Sequence, residues 1–245
     1  MAAFNFGVGS LWAARTDVSN STPAQFGTLQ DVQVDFDFTS KPLMGQYQIA
    51  VAVARGGMKT TLKSKSATIN SGIFNQSFFG QTQTVGGLLT ALSESHAIPT
   101  TPFEITVTNS STFTNDLGVV YSATGVRLTA VASSPTTGQY AVSAGVYTFA
   151  AADTGLTVLI SYAYTVSTGA QKIVITNQLM GSAPTFQANL SNIYAGKVFS
   201  LQLNACISTK LSLPFKNEDW TINEIDIEAF TDASNNLGVL TVTDL

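Results

Sequence analysis

The chain has 245 residues, of which 44% are apolar and only 11% charged, and its net charge is −4. A typical soluble domain carries about 25% charged residues; here 56 serines and threonines take their place. The single Cys and single His exclude an internal disulfide and a His/Cys zinc cage, and the mildly acidic balance excludes a broad basic face for phosphate. With 10% aromatic residues, the composition describes a filled fold with a hydroxyl-rich surface, suited to burial against copies of itself.

The N-terminus, MAAFNFGVGSLWAARTD, has no early positive cluster and no apolar run of signal-peptide length. No stretch reaches the ~20 apolar residues of a membrane helix. Residues 1–28 read as an arm. From Thr28 to Phe38, Val32, Val34, Phe36 and Phe38 alternate with Asp31, Gln33, Asp35 and Asp37. That period of two predicts a strand with an apolar and an acidic face. Lys41-Pro42-Leu43-Met44-Gly45 reads as a break, and a second strand follows on Tyr47, Ile49, Val51 and Val53. Arg55-Gly56-Gly57 reads as a turn. A third strand, from about Met58 to Ile69, places Lys59, Lys63 and Lys65 on one face.

Ile73, Phe74, Phe78 and Phe79 predict a short helix closed by Gly80. A second short helix is expected across Gly87 to Ser95. Between about Thr100 and Val166 the pattern becomes short strands separated by Gly, Ser and Pro: Phe103–Thr108, Val119–Tyr121, Val126–Ala132, Gln139–Val142, Val146–Phe149 and Thr157–Thr165. This tempo suggests a small β-sandwich-like insertion. Beyond it the first style returns. Strands are expected at Lys172–Thr176, Thr185–Tyr194, Phe199–Ile207 with Thr209–Leu213, and Trp220–Phe230, where Glu224, Asp226 and Glu228 form a second acidic stripe. The turn from Asp232 to Gly238 predicts a final hairpin with Val239–Thr243. The plan is mainly β: residues 1–99 and 167–245 form the halves of one domain with one or two short flanking helices, and residues 100–166 form an inserted module.

Chemistry finds little support. His96 is the only base for a nucleophile triad and sits in what reads as a polar linker, where a solvated role is expected. No GxSxG elbow is present, and Val85-Gly86-Gly87 lacks the lysine of a phosphate loop. Cys206 lies among small residues and reads as structural. The acidic stripes are too regular for a glycosidase pair and lack calcium-loop spacing. They read either as a solvated face or as a negative surface with a purpose. The lysines read either as a solvated face or as partners for carboxylates on a neighbouring copy. No catalytic, cofactor or metal site is assigned.

Three segments carry a family resemblance. The run FGTLQDVQVDFDFTSKPLMGQYQIAVAVARGGMKTTLKSKSATINSGIFNQSFFG, Phe26 to Gly80, resembles the N-terminal part of tail tube (major tail) proteins of long-tailed bacteriophages. LTAVASSPTTGQYAVSAGVYTFAAADTGLTVLISYAYT, Leu128 to Thr165, resembles a β module of phage structural proteins. Phe186 to Asp244 is similar to the C-terminal sheet of the same group. The resemblance implies a β-sandwich or barrel subunit, hexameric rings stacked into a hollow tube, and a virion tail assembled in the host cytoplasm. The partners it implies are other copies, further tail proteins (tape measure, terminator, baseplate or tip) and double-stranded DNA in transient passage; no membrane insertion is expected. On this reading an acidic stripe, Asp31/Asp35/Asp37 or Glu224/Asp226/Glu228, faces the lumen. Arg55, Lys59, Lys63 and Lys65, with the N-terminal arm, make contacts between rings, and the inserted module projects outside. A capsid decoration protein and a carbohydrate-binding or adhesin module of a phage particle, the latter using Tyr140, Tyr147 and Trp220, are the alternatives.

Overall fold

The computed structural model describes residues 5–243. The protein is mainly β, with antiparallel sheets and one short helix. The strands are β1 (Ser10–Arg15), β2 (Ala24–Gln25), β3 (Leu29–Met44), β4 (Ala50–Ser66), β5 (Gln83–Ala97), β6 (Glu104–Thr106), β7 (Phe113–Tyr121), β8 (Thr129–Ala130), β9 (Gln139–Ser143), β10 (Val146–Phe149), β11 (Thr157–Ile173), β12 (Phe186–Tyr194), β13 (Lys197–Ser212), β14 (Asn223–Phe230) and β15 (Gly238–Val242). The helix α1 spans Ser71–Phe74. The chain divides into two compact units, one formed by the residues up to 83 and from 173 on, the other by residues 84–172. The second unit is wider at both ends than the expected 100–166.

The first unit is built on one eight-stranded sheet of order β2-β1-β12-β13-β14-β4-β3, with β15 also paired to β13. Its core lies on one face of that sheet. Leu11 and Ala13 of β1, Phe186 and Ala188 of β12, Leu203 and Cys206 of β13, Ile225 and Ile227 of β14 and Leu62 of β4 are buried there with Ile73 and Phe74 of the helix. The expected N-terminal arm is therefore part of the sheet over β1 and β2; its first four residues lie outside the described residues.

The helix begins where Asn70 accepts hydrogen bonds through Oδ1 from the backbone N–H of Gly72 and Ile73, at 2.9 and 3.4 Å. It continues as a π turn over Asn75–Phe79 and ends at Gly80, whose φ of 63° suits glycine. The wider turn rotates Gln76 and Ser77 inward and leaves Phe78 and Phe79 half-buried, so the expected aromatic face is only partly realised.

Three expected breaks and one expected helix are corrected. Lys41–Gly45 does not end the first strand: β3 runs to Met44 with Pro42 opposite Val53. An edge strand tolerates proline because one side of its backbone joins no ladder. Arg55-Gly56-Gly57 is not a turn but lies inside β4. A Cβ on Gly56 would strike the Thr39 hydroxyl across the ladder, so this glycine serves a close approach. The segments at Thr157–Thr165 and Lys172–Thr176 are largely one strand, β11, which ends at Ile173. The second helix is absent: Gly87 to Ser95 lies in β5, where the ladder with β11 overrides helical spacing of Leu88, Leu89 and Leu92. The final hairpin is also corrected, because β14 and β15 do not pair with each other. Both are antiparallel to β13, β14 along residues 205–212 and β15 along residues 199–203.

The second unit has a four-stranded sheet, β6-β10-β9-β8, and a three-stranded sheet, β5-β11-β7. Ile105, Tyr140, Tyr147 and Phe149 of the first sheet and Val119, Val158, Ile160 and Tyr162 of the second share one buried cluster. This is a β-sandwich-like arrangement.

Candidate functional site

In the first unit β4 lies between β3 and β14, and that order decides the charge pattern. Lys65 stands opposite Asp31 on one side and Glu224 on the other. Lys63 stands between Gln33 and Asp226, Thr61 between Asp35 and Glu228, and Lys59 faces Asp37. Residues of one parity point to one face. The buried face thus takes Thr60, Leu62, Ser64, Ile225 and Ile227, and the other face takes all six stripe carboxylates with the three lysines between them. Lys210 of β13 joins that face opposite Asp226, after a register shift between Ser208 and Lys210.

Four ion contacts lace it: Lys59 to Glu228 at 3.2 Å, Lys65 to Asp31 at 3.7 Å, and Lys210 to Glu224 at 3.3 Å and to Asp226 at 4.0 Å. The Gln33 amide donates to both oxygens of Asp35 at 3.0 Å. Six carboxylates (Asp31, Asp35, Asp37, Glu224, Asp226, Glu228) against four lysines (Lys59, Lys63, Lys65, Lys210) leave the face at −2. The two acidic stripes are one surface, and the lysine stripe belongs to it.

Beyond this face the ladder narrows. The β14–β4 pairing begins at Ala229 and Thr60, whereas β3 and β4 continue together to Met44 and Ala50. The result is a two-stranded ribbon from Phe38 to Met58, a structure only marginally stable in water on its own. Tyr47 (76% exposed), Ile49 (83%), Val51 (75%) and Val53 (66%) stand open to solvent on it, as do Leu43 and Met44. Lys41 and Arg55 are the only charged residues between Phe38 and Met58. The Arg55 guanidinium carbon sits 4.6 Å from the centre of the Phe38 ring. The ribbon's length and its open faces are the features that sequence reasoning missed, because two false breaks hid them.

Two carboxylates of the second unit, Asp116 and Glu94, accept from its own buried phenols. The Asp116 carboxylate accepts from the hydroxyls of Tyr140 and Tyr147, the latter at 2.8 Å, and from the Gly118 N–H at 3.0 Å. Burial and the Asp116 charge push both phenols well above the usual tyrosine range. Glu94 accepts from the Tyr162 hydroxyl at 2.6 Å and from the Thr108 N–H and hydroxyl, both at 2.9 Å, and lies 2.7 Å from His96 Nε2. Burial works to raise the Glu94 carboxyl, but the bonds from Tyr162, His96 and Thr108 outweigh it and lower it to about 2. His96 is thus not a solvated linker residue; it lies on β5, half-buried against Glu94. Tyr140 and Tyr147 are buried at 3% and 0% exposure, so only Trp220 of the expected sugar-binding aromatics faces solvent, at 83%. Cys206 is buried, which pushes its thiol up to about 12.

Among the described residues no cluster of three or more His, Cys, Asp or Glu has the geometry to hold a metal, and no helix is long and apolar enough to cross a membrane. No protein-family model matches the chain, and no curated protein matches it.

Proposed function

We propose that the chain is a virion structural protein, the subunit of hexameric rings that stack into the tail tube of a long-tailed phage and so form the conduit for genome delivery. The resemblance of Phe26–Gly80, Leu128–Thr165 and Phe186–Asp244 motivates the reading. The observation that carries it is the eight-stranded sheet of the first unit: core on one face, a mixed and net acidic field on the other, and an apolar ribbon running on past the last neighbouring strand.

Each feature finds a use in a tube. DNA must slide without sticking, and a net acidic face disfavours the counterion-releasing phosphate contacts that hold DNA on a protein. The lysines among the carboxylates keep that field shallow, so it repels without distorting the subunit. The face bearing Asp31, Asp35, Asp37, Glu224, Asp226 and Glu228 therefore lines the lumen. The long free edge of β3 is open to pairing with another chain, and exposed edges of this kind are removed by assembly. The ribbon, with Arg55 and Lys41, contacts the next ring. Head-to-tail contacts that close by rotation give rings, and stacking extends them. The partners are other copies, the remaining tail proteins, and DNA in passage; the location is the virion tail; no enzymatic step is assigned. The unit of residues 84–172 is an accessory module.

Negative-stain microscopy of the purified protein tests the reading. Stacked rings of six-fold symmetry are the expected image. Monodisperse monomers at high concentration, or trimers seated on a capsid shell, would overturn it.

A further inference from the structure

A small cavity lies in the first unit between the sheet and the segment that leads from β4 into α1. Phe26, Ile73, Phe74 and Ile225 make its apolar wall, and Ser64 and Asn223 reach it from neighbouring strands. Both polar residues are deeply buried, Ser64 at 2% and Asn223 at 1% exposure. Ser64 Oγ and Asn223 Oδ1 have no hydrogen-bond partner in the protein. A buried polar atom left unpaired costs about 1–3 kcal/mol, and native folds rarely retain one.

The neighbouring strands supply neither atom with a partner. In register, Ser64 stands between Val32 and Ile225, which are both apolar. Asn223 is its diagonal neighbour on β14, where Asn223 faces Ser66. Diagonal positions are about 7–8 Å apart at the backbone, beyond a direct side-chain bond but within reach of one bridging molecule. The Asn223 amide cannot turn over to help, because its Nδ2 donates to the Thr68 carbonyl at 3.0 Å. That bond fixes Oδ1 as the free acceptor. Ser66 is already committed: its hydroxyl donates to the Gly27 carbonyl and accepts from the Thr68 N–H at 3.2 Å. The space open to the centre of a water-sized sphere is about 10 Å³. One water needs roughly 10–15 Å³ by that measure, so the cavity fits one and no larger ligand.

We propose that Ser64 and Asn223 bind a single structural water. It donates one hydrogen bond to Asn223 Oδ1 and accepts one from the Ser64 hydroxyl. The water thereby ties β4 to β14 behind the chain that enters α1, at a point where the ladder supplies no polar cross-strand partner. The inference is independent of the assembly proposed above.

A structure of the wild-type protein at a resolution that shows ordered solvent is the direct test. The expected result is one solvent peak within about 3.2 Å of both Ser64 Oγ and Asn223 Oδ1. An empty cavity, or a direct bond between the two side chains, would overturn the proposal. In solution, water-¹⁷O relaxation dispersion on wild type and Ser64→Val gives a second readout. The valine methyls fill the space and remove the hydroxyl, so the variant is expected to hold one long-lived water fewer. An unchanged count in a folded variant also overturns it, and if Ser64→Val does not fold the wild-type structure decides alone.

Discussion

Lys59 Nζ on β4 lies 3.2 Å from Glu228 Oε2 on β14, although the residue directly opposite Glu228 in the ladder is Thr61. The lysine reaches diagonally across a neutral position, as Lys210 does from β13 toward Glu224. Both reaches show a face organised as a charge lattice, in which β4 supplies cations to acids on either side. Each exposed pair contributes little, about 0–1 kcal/mol, but reversing a lattice point sets like charges directly opposite one another.

Lys63→Glu with Lys65→Glu is therefore expected to weaken the isolated subunit as well as any assembly. A carboxylate at position 65 would face Asp31 and Glu224, and one at position 63 would face Asp226. At about 0.2–1 kcal/mol per like-charged pair, the loss is on the order of 1–2 kcal/mol at low salt. It should shrink as salt screens the field. Urea unfolding at low and high ionic strength checks this; a loss indifferent to salt would show that packing, not charge, was disturbed.

The acid limb of stability should depend on Glu94. Its carboxyl titrates at about 2 in the folded protein against an ordinary 4.5. A depressed carboxyl stabilises the fold above its unfolded value and loses that contribution as pH falls toward the folded one. The window is thus about pH 4.5 to 2. Asp17, held low by Arg15, and Asp232, held low by the Asn236 N–H, add to the same slope. Glu94→Gln is expected to be less stable than wild type at neutral pH and to show a shallower decline through that window. Equal slopes in urea titrations would assign the acid response to the other carboxylates.

Much of this was legible locally. Period-two alternation marks the strand cores of β3, β12, β13 and β14. What local signals misread were residues whose conformation a neighbouring strand decides. Pro42 and Gly56 looked like breaks, yet one sits on a free edge and the other makes room for Thr39. The stripe residues could be named one by one from sequence. That Asp31 and Glu224 flank the same lysine could not, because it depends on β4 entering between strands from opposite ends of the chain.

Gly238 illustrates the same non-local control. It opens β15 opposite Leu203, and a Cβ there would collide with the Gln202 carbonyl oxygen. Backbone cannot retreat as a flexible side chain can. Gly238→Ala should destabilise the first unit by about 1–3 kcal/mol, the usual cost of overpacking, through loss of the β15 ladder. Hydrogen exchange should then quicken at the paired residues of β15 while β14 stays protected. Unchanged protection at β15 would mean the strand shifts to absorb the methyl.

In the second unit, Asp116 answers for two buried phenols. Tyr147→Phe removes one donor and leaves the carboxylate with Tyr140 and the Gly118 N–H, so a cost of about 1 kcal/mol is expected. Asp116→Ala strands both hydroxyls and should cost more, about 2–4 kcal/mol in total. The alkaline limb follows from the same geometry. A phenol raised above its ordinary value stabilises the fold below about pH 10 and loses that contribution as pH rises beyond it. Absorbance titration should find Tyr140 and Tyr147 resisting ionisation until the unit unfolds; smooth titration of all seven tyrosines near pH 10 would contradict the burial.

The ribbon separates folding from assembly. Val51 and Val53 are exposed, at 75% and 66%, on a ladder that touches no strand beyond β3. Replacing an exposed side chain away from a packed core usually changes stability by no more than about 0.5 kcal/mol. Burying an added carboxylate against a second copy costs far more, since an unpaired charge in an interface core is desolvated without compensation. Val51→Asp with Val53→Asp should therefore leave the urea midpoint of the subunit nearly unchanged and abolish the proposed tube assembly. Sedimentation of the wild type and the variant across a concentration series checks both halves. A variant that still polymerises would remove the ribbon from the ring contact, and one that unfolds would show that the ribbon supports its own subunit instead.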